Sequence, residues 1–273
     1  MKIWIITSGS ESLTLFKFLS KYDHEYIVYY DFLHWPYGDK TFEQSLACVE
    51  QGIEYLTQQG VDTIIVPPVY ELHCLVNGKK NGILLLFTTY LQDYCFKHSL
   101  VGKLGYMGDF ADVGEIESLT KNLAKKYVLN DHQKAIKKFH FPFSYRVKET
   151  PLWKYYLTSL SYNHILVNKI IKFDLRYFKD AMVDTLVPLS YGYFNYQSTI
   201  TKFLNFKKIR FHKIEKLEEV FQWLVPSIKK QEKNKYAVIV AYTGHVEMLK
   251  REKRMMRLLG RGKSDSIAFK QIS

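Results

Sequence analysis

Short runs of branched apolar residues alternate along the chain with longer segments whose apolar residues recur every three or four positions. The first run, residues 2–7, has the length of a buried strand, and the repeat after it predicts a helix near residues 13–19. A second strand at 26–30 and a long helix at 41–59 continue the alternation. This order is typical of a parallel sheet covered by helices, so the expected fold class is α/β. The remaining predicted strands are 61–66, 83–87, 101–108, 183–187, 209–213 and 236–242, and the remaining predicted helices are 70–76, 151–161, 164–179, 197–204, 214–229 and 246–259.

One pattern occurs twice. Residues 61–70 have the sequence VDTIIVPPVY and residues 183–191 have VDTLVPLSY: a polar start, a run of branched apolar residues, and a break at proline. Each predicts a buried parallel strand whose carboxyl end opens into a loop. Ligands of open α/β sheets bind just beyond such strand ends. The pattern favours two similar halves with one site between them, although a Val-Asp-Thr sequence followed by aliphatic residues also arises by coincidence.

The composition is that of a globular protein. The 273 residues suffice for two domains, and 47% are apolar and 24% charged. Three cysteines, Cys48, Cys74 and Cys95, fit neither a disulfide framework nor a Cys-x-x-Cys metal site, which favours a reducing compartment. The amino-terminal apolar run is too short for a signal peptide, and no run reaches the ~20 residues that span a bilayer. These features predict a cytoplasmic protein.

The formal net charge of +12 raises the question of nucleic acid or an anionic membrane as a partner. The lysines and arginines are spread over predicted helix faces and turns, where a solvated surface explains them. Nucleic-acid binding is therefore disfavoured, and no membrane association is expected. Attraction of small anions is the inference that remains.

Four short motifs lie in an informative order: IITSG at 5–9, WPYGDK at 35–40, and the two Val-Asp-Thr strands. With YTGHVEMLK at 242–250, they make residues 2–260 resemble the bacterial glutamate racemases of the aspartate/glutamate racemase superfamily. The Pro-Tyr-Gly sequence followed by an acid and a lysine is the most specific of these motifs.

The resemblance implies two flavodoxin-like domains with parallel sheets, related by pseudo-twofold symmetry, with the site in the interdomain cleft. In this family the last segment of the chain completes the first domain. We therefore expect a first domain of residues 1–99 plus 209–260, a second domain of residues 100–208, and a frayed polar tail at 261–273. A homodimer is expected by analogy alone.

The family racemises amino acids without a cofactor, using one cysteine thiolate from each half to remove and return the α-proton. Aligned on Val-Asp-Thr, the first family cysteine falls at Pro68 and the second at Ser190. Proline has no proton to transfer, and a serine hydroxyl is a poor base without an activating neighbour. The resemblance therefore implies a homologue without two-base racemase activity. The family's substrate-binding positions fall at Thr7, Ser8, Pro36, Tyr37, Gly38, Val69, Tyr70 and Tyr191.

No other residue replaces the thiols convincingly. Cys74 lies about 9 Å beyond Pro68 if the segment between them is helical, and a displacement of about 1 Å already costs about a hundredfold in rate. Cys48 and Cys95 fall on predicted helices, where packed cysteines are the simpler interpretation. His34, in the Pro-Tyr-Gly loop, is better placed, but a surface histidine is again simpler.

Three classes of function remain open. The first is a pseudoenzyme or repurposed cleft that binds a small dicarboxylate or amino acid through backbone amides, Ser8, Tyr37 and Ser190, unless Tyr70 and Tyr191 fill the pocket. The second is an active isomerase, decarboxylase or hydrolase that uses Ser190. The third is a basic interaction protein, and resemblance to a family in which some members bind DNA gyrase suggests a protein partner. No cofactor or metal is expected.

Overall fold

The structure, a computed structural model, describes most of the chain. The described residues are 2–7, 11–19, 21–22, 25–31, 33–34, 37, 40–61, 63–78, 82–109, 115–116, 118–121, 143–153, 165–226, 238–244 and 267–271. Among them, no helix is both long and apolar enough to cross a lipid bilayer.

Strands and helices alternate as the sequence predicts. The strands are β1 (Lys2–Thr7), β2 (Glu25–Asp31), β3 (Thr63–Ile65), β4 (Lys103–Gly108), β5 (Ser144–Glu149), β6 (Thr185–Pro188), β7 (Val238–Thr243) and β8 (Ile267–Gln271). The helices are α1 (Glu11–Leu19), α2 (Phe42–Gln58), α3 (Pro68–Val76), α4 (Leu86–Tyr90), α5 (Ile165–Asp180), α6 (Gln197–Asn205) and α7 (Ile214–Leu224). A π-helix, Leu91–Phe96, follows α4, and a 3-10 helix, Tyr191–Tyr196, precedes α6.

The strands form two parallel sheets, which confirms the α/β class. The first has the order β3-β1-β2-β7-β8 and the second the order β5-β4-β6. In the interior strand β1, which lies between β3 and β2, Ile3, Ile5 and Ile6 are fully buried. A parallel strand covered on both faces carries such a continuous apolar run. Strand β7 lies late in the chain yet pairs in parallel with β2.

Local signals set the bounds of the long helix α2. The side chain of Thr41 accepts a hydrogen bond from the Gln44 amide, and the Gln44 side chain accepts one from the Thr41 amide. This reciprocal capping box starts the helix. Gly60, with a positive φ of 70°, turns the chain just after the helix ends.

Asp184 ties a segment between the two sheets to the start of β6. Its carboxylate accepts hydrogen bonds from the Ser99 hydroxyl at 2.9 Å and from the amides of Leu100 and Val101. On the return segment, Arg210 donates to the His98 carbonyl at 3.0 Å. These bonds hold both connecting segments beside the second sheet.

The structure differs from the sequence-based prediction at four places. Residues 83–87 do not form a strand: Ile83 makes a single bridge to Ile64, and α4 begins at Leu86. Residues 209–213 likewise contribute only a bridge through Arg210. Strand β5 lies in a charged stretch for which the sequence predicted no strand.

The fourth difference is the polar tail at 261–273. Residues 267–271 form β8, which pairs in parallel with β7, so the prediction of a frayed tail is wrong for this segment. Isoleucine and phenylalanine, at positions 267 and 269 of the sequence, are residue types that favour strands. The predicted helix at 246–259 lies outside the described residues.

Gly105 provides a test of how tightly the second sheet packs. A Cβ atom at Gly105 would lie 2.5 Å from Phe178 Cδ1 and 2.9 Å from Val183 Cγ1. We expect Gly105→Ala to lower the free energy of unfolding by about 1–3 kcal/mol, because the core has no room for the methyl group. Urea unfolding measures this loss.

The Phe178→Leu variant provides the control. Because it removes the ring that the new methyl group meets, the loss from Gly105→Ala should be smaller in the Phe178→Leu background than in the wild type. Equal losses in the two backgrounds would contradict the steric explanation.

Candidate functional site

The first strand end that the resemblance singles out leads into two prolines. Strand β3 ends at Ile65, and Pro67, with φ −57° and ψ 149°, precedes Pro68 at the start of α3. The residue before a proline prefers such an extended conformation, and proline suits the first helical turn because the amide it lacks would have no intrahelical partner. Pro68, which the sequence predicts to align with a family cysteine, is buried and has no group that transfers a proton.

The second strand end leads into a serine that is already hydrogen-bonded. Ser190 follows β6 and is 9% exposed. Its oxygen accepts a hydrogen bond from the Gly192 amide at 3.1 Å, and its hydroxyl donates to the carboxyl of Glu11, the first residue of α1. Helix α1 also packs against the 3-10 helix. Glu11 and Ser190 therefore link a helix of the first sheet directly to a strand end of the second.

The charge of a second carboxyl group, that of Asp109, affects the pKa of Glu11. Burial raises the pKa of Glu11 from its ordinary 4.5 to about 7, the hydrogen bond from Ser190 opposes the rise, and the charge of Asp109 adds to it. Asp109 directly follows β4, the central strand of the second sheet. Among the described residues, the charged group that shifts the Glu11 pKa is therefore another acid.

Glu71 and Tyr191 are buried beside the same link. The carboxylate of Glu71 accepts hydrogen bonds from the amides of Phe87 at 2.9 Å and Thr88 at 2.6 Å, yet burial raises the Glu71 pKa to about 7. Tyr191 is 1% exposed, and its hydroxyl has no hydrogen-bond partner among the described residues. Burial raises the Tyr191 pKa, and the charges of Glu71 and Glu11 raise it further. The phenol therefore lies close to both carboxyl groups.

Two predicted substrate-binding tyrosines pack within the first half. Tyr70 is 2% exposed and stacks on Phe42, with ring centroids 5.4 Å apart. Tyr37 packs edge-on against Tyr70 at 6.4 Å, and its hydroxyl donates to Asp31 at 2.9 Å. Both side chains are engaged in the protein's own packing.

The other predicted site residues divide into two groups. Val69 is fully buried in the first turn of α3, and Thr7 is the last residue of β1. Ser8, Pro36 and Gly38 lie outside the described residues.

Asp31, His34 and Cys48 form a cluster of potential metal ligands, with their ligand atoms all within 4.8 Å of one another. The Asp31 carboxylate, however, already accepts hydrogen bonds from Tyr37 and, at 2.8 Å, from the Thr243 hydroxyl. His34 Nδ1 lies 2.9 Å from the same carboxylate. These contacts explain the cluster as a hydrogen-bonded support for the loop after β2, so His34 is engaged with Asp31 and has a structural role.

None of the cysteines lies at either strand end. Cys48, Cys74 and Cys95 lie on α2, on α3 and in the π-helix, and all three are buried. Burial raises the pKa of Cys48 and, far more strongly, that of Cys95. Buried thiols that hold their protons are poor bases.

Reasoning from the sequence missed the acidic residues. Glu11 opens α1, Glu71 lies one turn after Pro68, and Asp109 directly follows β4. The available signal was their position just beyond parallel strands, where α/β proteins place ligand-binding groups. Finding them required a search of every carboxylate at a strand end, because none of the three lies within the motifs that carry the resemblance.

Comparisons with known proteins agree with this architecture. No protein-family model matches the sequence, and no curated protein sequence matches it significantly. Among solved structures, glutamate racemase RacE1 from Bacillus anthracis is similar, with a TM-score of 0.72, 18% identity and coverage of 99% of this chain and 97% of the other.

Two further glutamate racemases resemble the chain over its full length. That of Thermus thermophilus, solved with β-chloro-D-alanine, has a TM-score of 0.71, 17% identity and coverage of 100% of this chain and 96% of the other. That of Francisella tularensis, solved with D-glutamate, has a TM-score of 0.69, 15% identity and coverage of 100% and 97%. At such low identity the likeness establishes the two-domain racemase fold.

The raised pKa of Glu11 predicts a pH-dependent stability. Because its pKa of about 7 in the folded protein lies above the ordinary 4.5, Glu11 stabilises the fold fully below pH 4.5, and this contribution is lost as the pH rises through about 7. Glu11→Gln, which stays neutral, should therefore reduce the fall in Tm over this range. Thermal unfolding across the range measures the difference.

Glu54→Gln, on the exposed face of α2, is the matched control and should leave the pH profile unchanged. Parallel profiles for wild type and Glu11→Gln would contradict burial of the Glu11 carboxyl. Glu71 accounts for the slope expected to remain in Glu11→Gln, because its pKa is raised in the same direction.

Proposed function

We propose that this protein is a racemase-fold protein that has lost two-base racemisation and whose interdomain cleft is closed by its own side chains. The observation that carries the proposal is the Glu11–Ser190 hydrogen bond, which joins the two halves at one of the two positions where the family has a catalytic thiol. At the other position, Pro68 begins α3. We infer that the cleft acts as a structural contact between the halves.

The chemistry of racemisation supports the loss of activity. A base on one face of the substrate must remove the α-proton, and an acid on the other face must return one. Pro68 supplies neither group, and the Ser190 hydroxyl is held between Gly192 and Glu11. Each acid or base contributes about 10²–10⁴ in rate, although such contributions are not additive when residues cooperate.

Electrostatics argue against tight glutamate binding. The acidic side chains of the cleft are Glu11, Glu71 and Asp109, and glutamate itself has two carboxylates. Two like charges about 5 Å apart repel by about 3 kcal/mol at an effective dielectric constant of about 20. If a small amino acid binds in the cleft, we expect its amino group to face these acids and its affinity to be low.

A direct test is exchange of the α-proton in D2O. Incubated with D- or L-glutamate or aspartate, the protein should give Cα deuteration no faster than buffer alone, because Pro68 has no base and the Ser190 hydroxyl is already hydrogen-bonded. Proton NMR of the amino acids measures the exchange. Catalysed exchange that disappears in Ser190→Ala would overturn the proposal.

One observation favours a second candidate, a hydrolase. Glu11 accepts the hydroxyl hydrogen of Ser190 and has a pKa near 7, which is the relation between a general base and its nucleophile. The Gly192 amide donates to Ser190 itself, so this amide is not free to stabilise an oxyanion. This candidate therefore has a nucleophile and a base but lacks a described oxyanion donor.

Hydrolysis of p-nitrophenyl acetate separates the two candidates. Under the closed-cleft proposal, wild type, Ser190→Ala and Glu11→Gln should all hydrolyse the ester at the same slow rate. A rate that falls at least about a hundredfold in both variants, the usual contribution of an acid–base group, would establish the hydrolase instead.

A further inference from the structure

A groove on the second sheet lies apart from the cleft. It has a volume of about 540 Å³ and runs between helix α5 and the end of strand β5. Lys148 and Leu152 line one side, and Lys169, Phe173 and Arg176 line the other. None of the cleft residues contributes to its wall. A ligand of the groove would therefore not contact Ser190 or Glu11.

The groove exposes apolar side chains that folding normally covers. Phe173 is 71% exposed and Leu152 is 50% exposed, and both line the groove. Ile165, Leu166 and Tyr177 on the same helix are 73%, 49% and 39% exposed. Single exposed apolar residues are ordinary, but a contiguous group on one helix marks an interaction surface.

Cations border the apolar surface. Lys169, Lys172 and Arg176 are exposed on α5, and none of them forms an ion pair among the described residues. Their spacing of three and four residues places them on one face of the helix. A partner that covers the apolar groove therefore meets three uncompensated positive charges.

The carboxylates of the groove do not cancel these charges. Asp174 accepts a hydrogen bond from Trp153 Nε1 at 2.7 Å and lies 4.0 Å from Lys148 Nζ. Glu149 is the other acid of the lining, which holds four cationic side chains in all: Lys148, Lys169, Lys172 and Arg176. The groove is thus positive as well as apolar, and the chain carries a net charge of +12.

Shape distinguishes the possible occupants. A bilayer surface is flat on this scale and would leave the hollow empty, whereas a nucleic-acid backbone would leave Phe173 and Leu152 uncovered. A peptide fills a hollow with a side chain while its neighbouring residues lie along the rim. We propose that this groove docks an acidic peptide segment of a partner protein, with an apolar side chain against Phe173 and Leu152 and carboxylates beside Lys169, Lys172 and Arg176.

The two parts of the groove contribute differently. The apolar contact supplies most of the affinity, since it removes exposed aromatic and aliphatic surface from water. The exposed cations select an acidic partner and speed association, and each alone changes affinity only modestly. Reversal of one cation should therefore weaken binding by about two- to fivefold, and loss of the aromatic ring should weaken it by about tenfold or more.

The test is a selection from a library of random twelve-residue peptides displayed on phage, with the full-length protein as bait. Enriched peptides should carry several Asp or Glu residues around one apolar residue. Fluorescence anisotropy with the best peptide should then show about tenfold weaker binding to Phe173→Ser and two- to fivefold weaker binding to Lys172→Glu. Binding should weaken as salt rises.

The matched controls are Trp223→Ser on α7 and Lys213→Glu just before that helix, which replace an exposed aromatic residue and an exposed lysine outside the groove. They should bind the peptide as wild type does, and all four variants should keep the wild-type Tm. The proposal would be overturned if the selection enriched no peptide, or enriched neutral or basic peptides. It would also be overturned if the control variants weakened peptide binding as much as the groove variants do. The groove would instead be a membrane-binding surface if the protein bound no peptide but sedimented with phosphatidylglycerol vesicles, and if Phe173→Ser abolished that sedimentation.

Discussion

The hydrogen bond between Ser190 and Glu11 is the contact on which the character of the cleft depends. It joins the strand end of one sheet to the first helix of the other, and it places a carboxyl group where α/β proteins usually keep room for a ligand. The same bond uses the hydroxyl that would otherwise be free to react. The charge of Glu11 and the reactivity of the Ser190 hydroxyl are therefore coupled through one side-chain pair.

The fold does not need the thiols that the resemblance leads one to expect. Pro68 suits the first turn of α3, where its missing amide leaves no hydrogen bond unmade, and Ser190 starts the 3-10 helix by accepting from Gly192. Each residue thus has a clear structural role at its position. The surrounding sheets depend on buried aliphatic strands and on anchors such as Asp184, which lie elsewhere. A scaffold built this way does not require a thiol at either strand end.

The sequence predicted the elements that depend on local patterns and missed those that depend on distant contacts. The apolar run of β1 and the capping box and glycine of α2 are local, and these elements lie close to their expected bounds. The run at 83–87 was ambiguous because short apolar runs fit a strand or a buried helix equally well. Its helix begins where Glu71, remote in sequence, accepts the amides of Phe87 and Thr88.

The residues of the candidate site also include some that local sequence predicts and some that depend on distant contacts. Pro68 and Ser190 could be located from the two Val-Asp-Thr strands, because a strand end is a local feature. The carboxyl of Glu11 could not be placed beside Ser190 in advance, since that contact joins residues from opposite halves of the fold. The cleft and the groove on α5 also differ in burial. Tyr191, beside the Glu11–Ser190 hydrogen bond, is 1% exposed, whereas Phe173 in the groove is 71% exposed. The protein covers the first ring with its own atoms, whereas most of the second ring stays open to solvent, and this contrast is the reason for proposing a binding partner at the groove and not at the cleft.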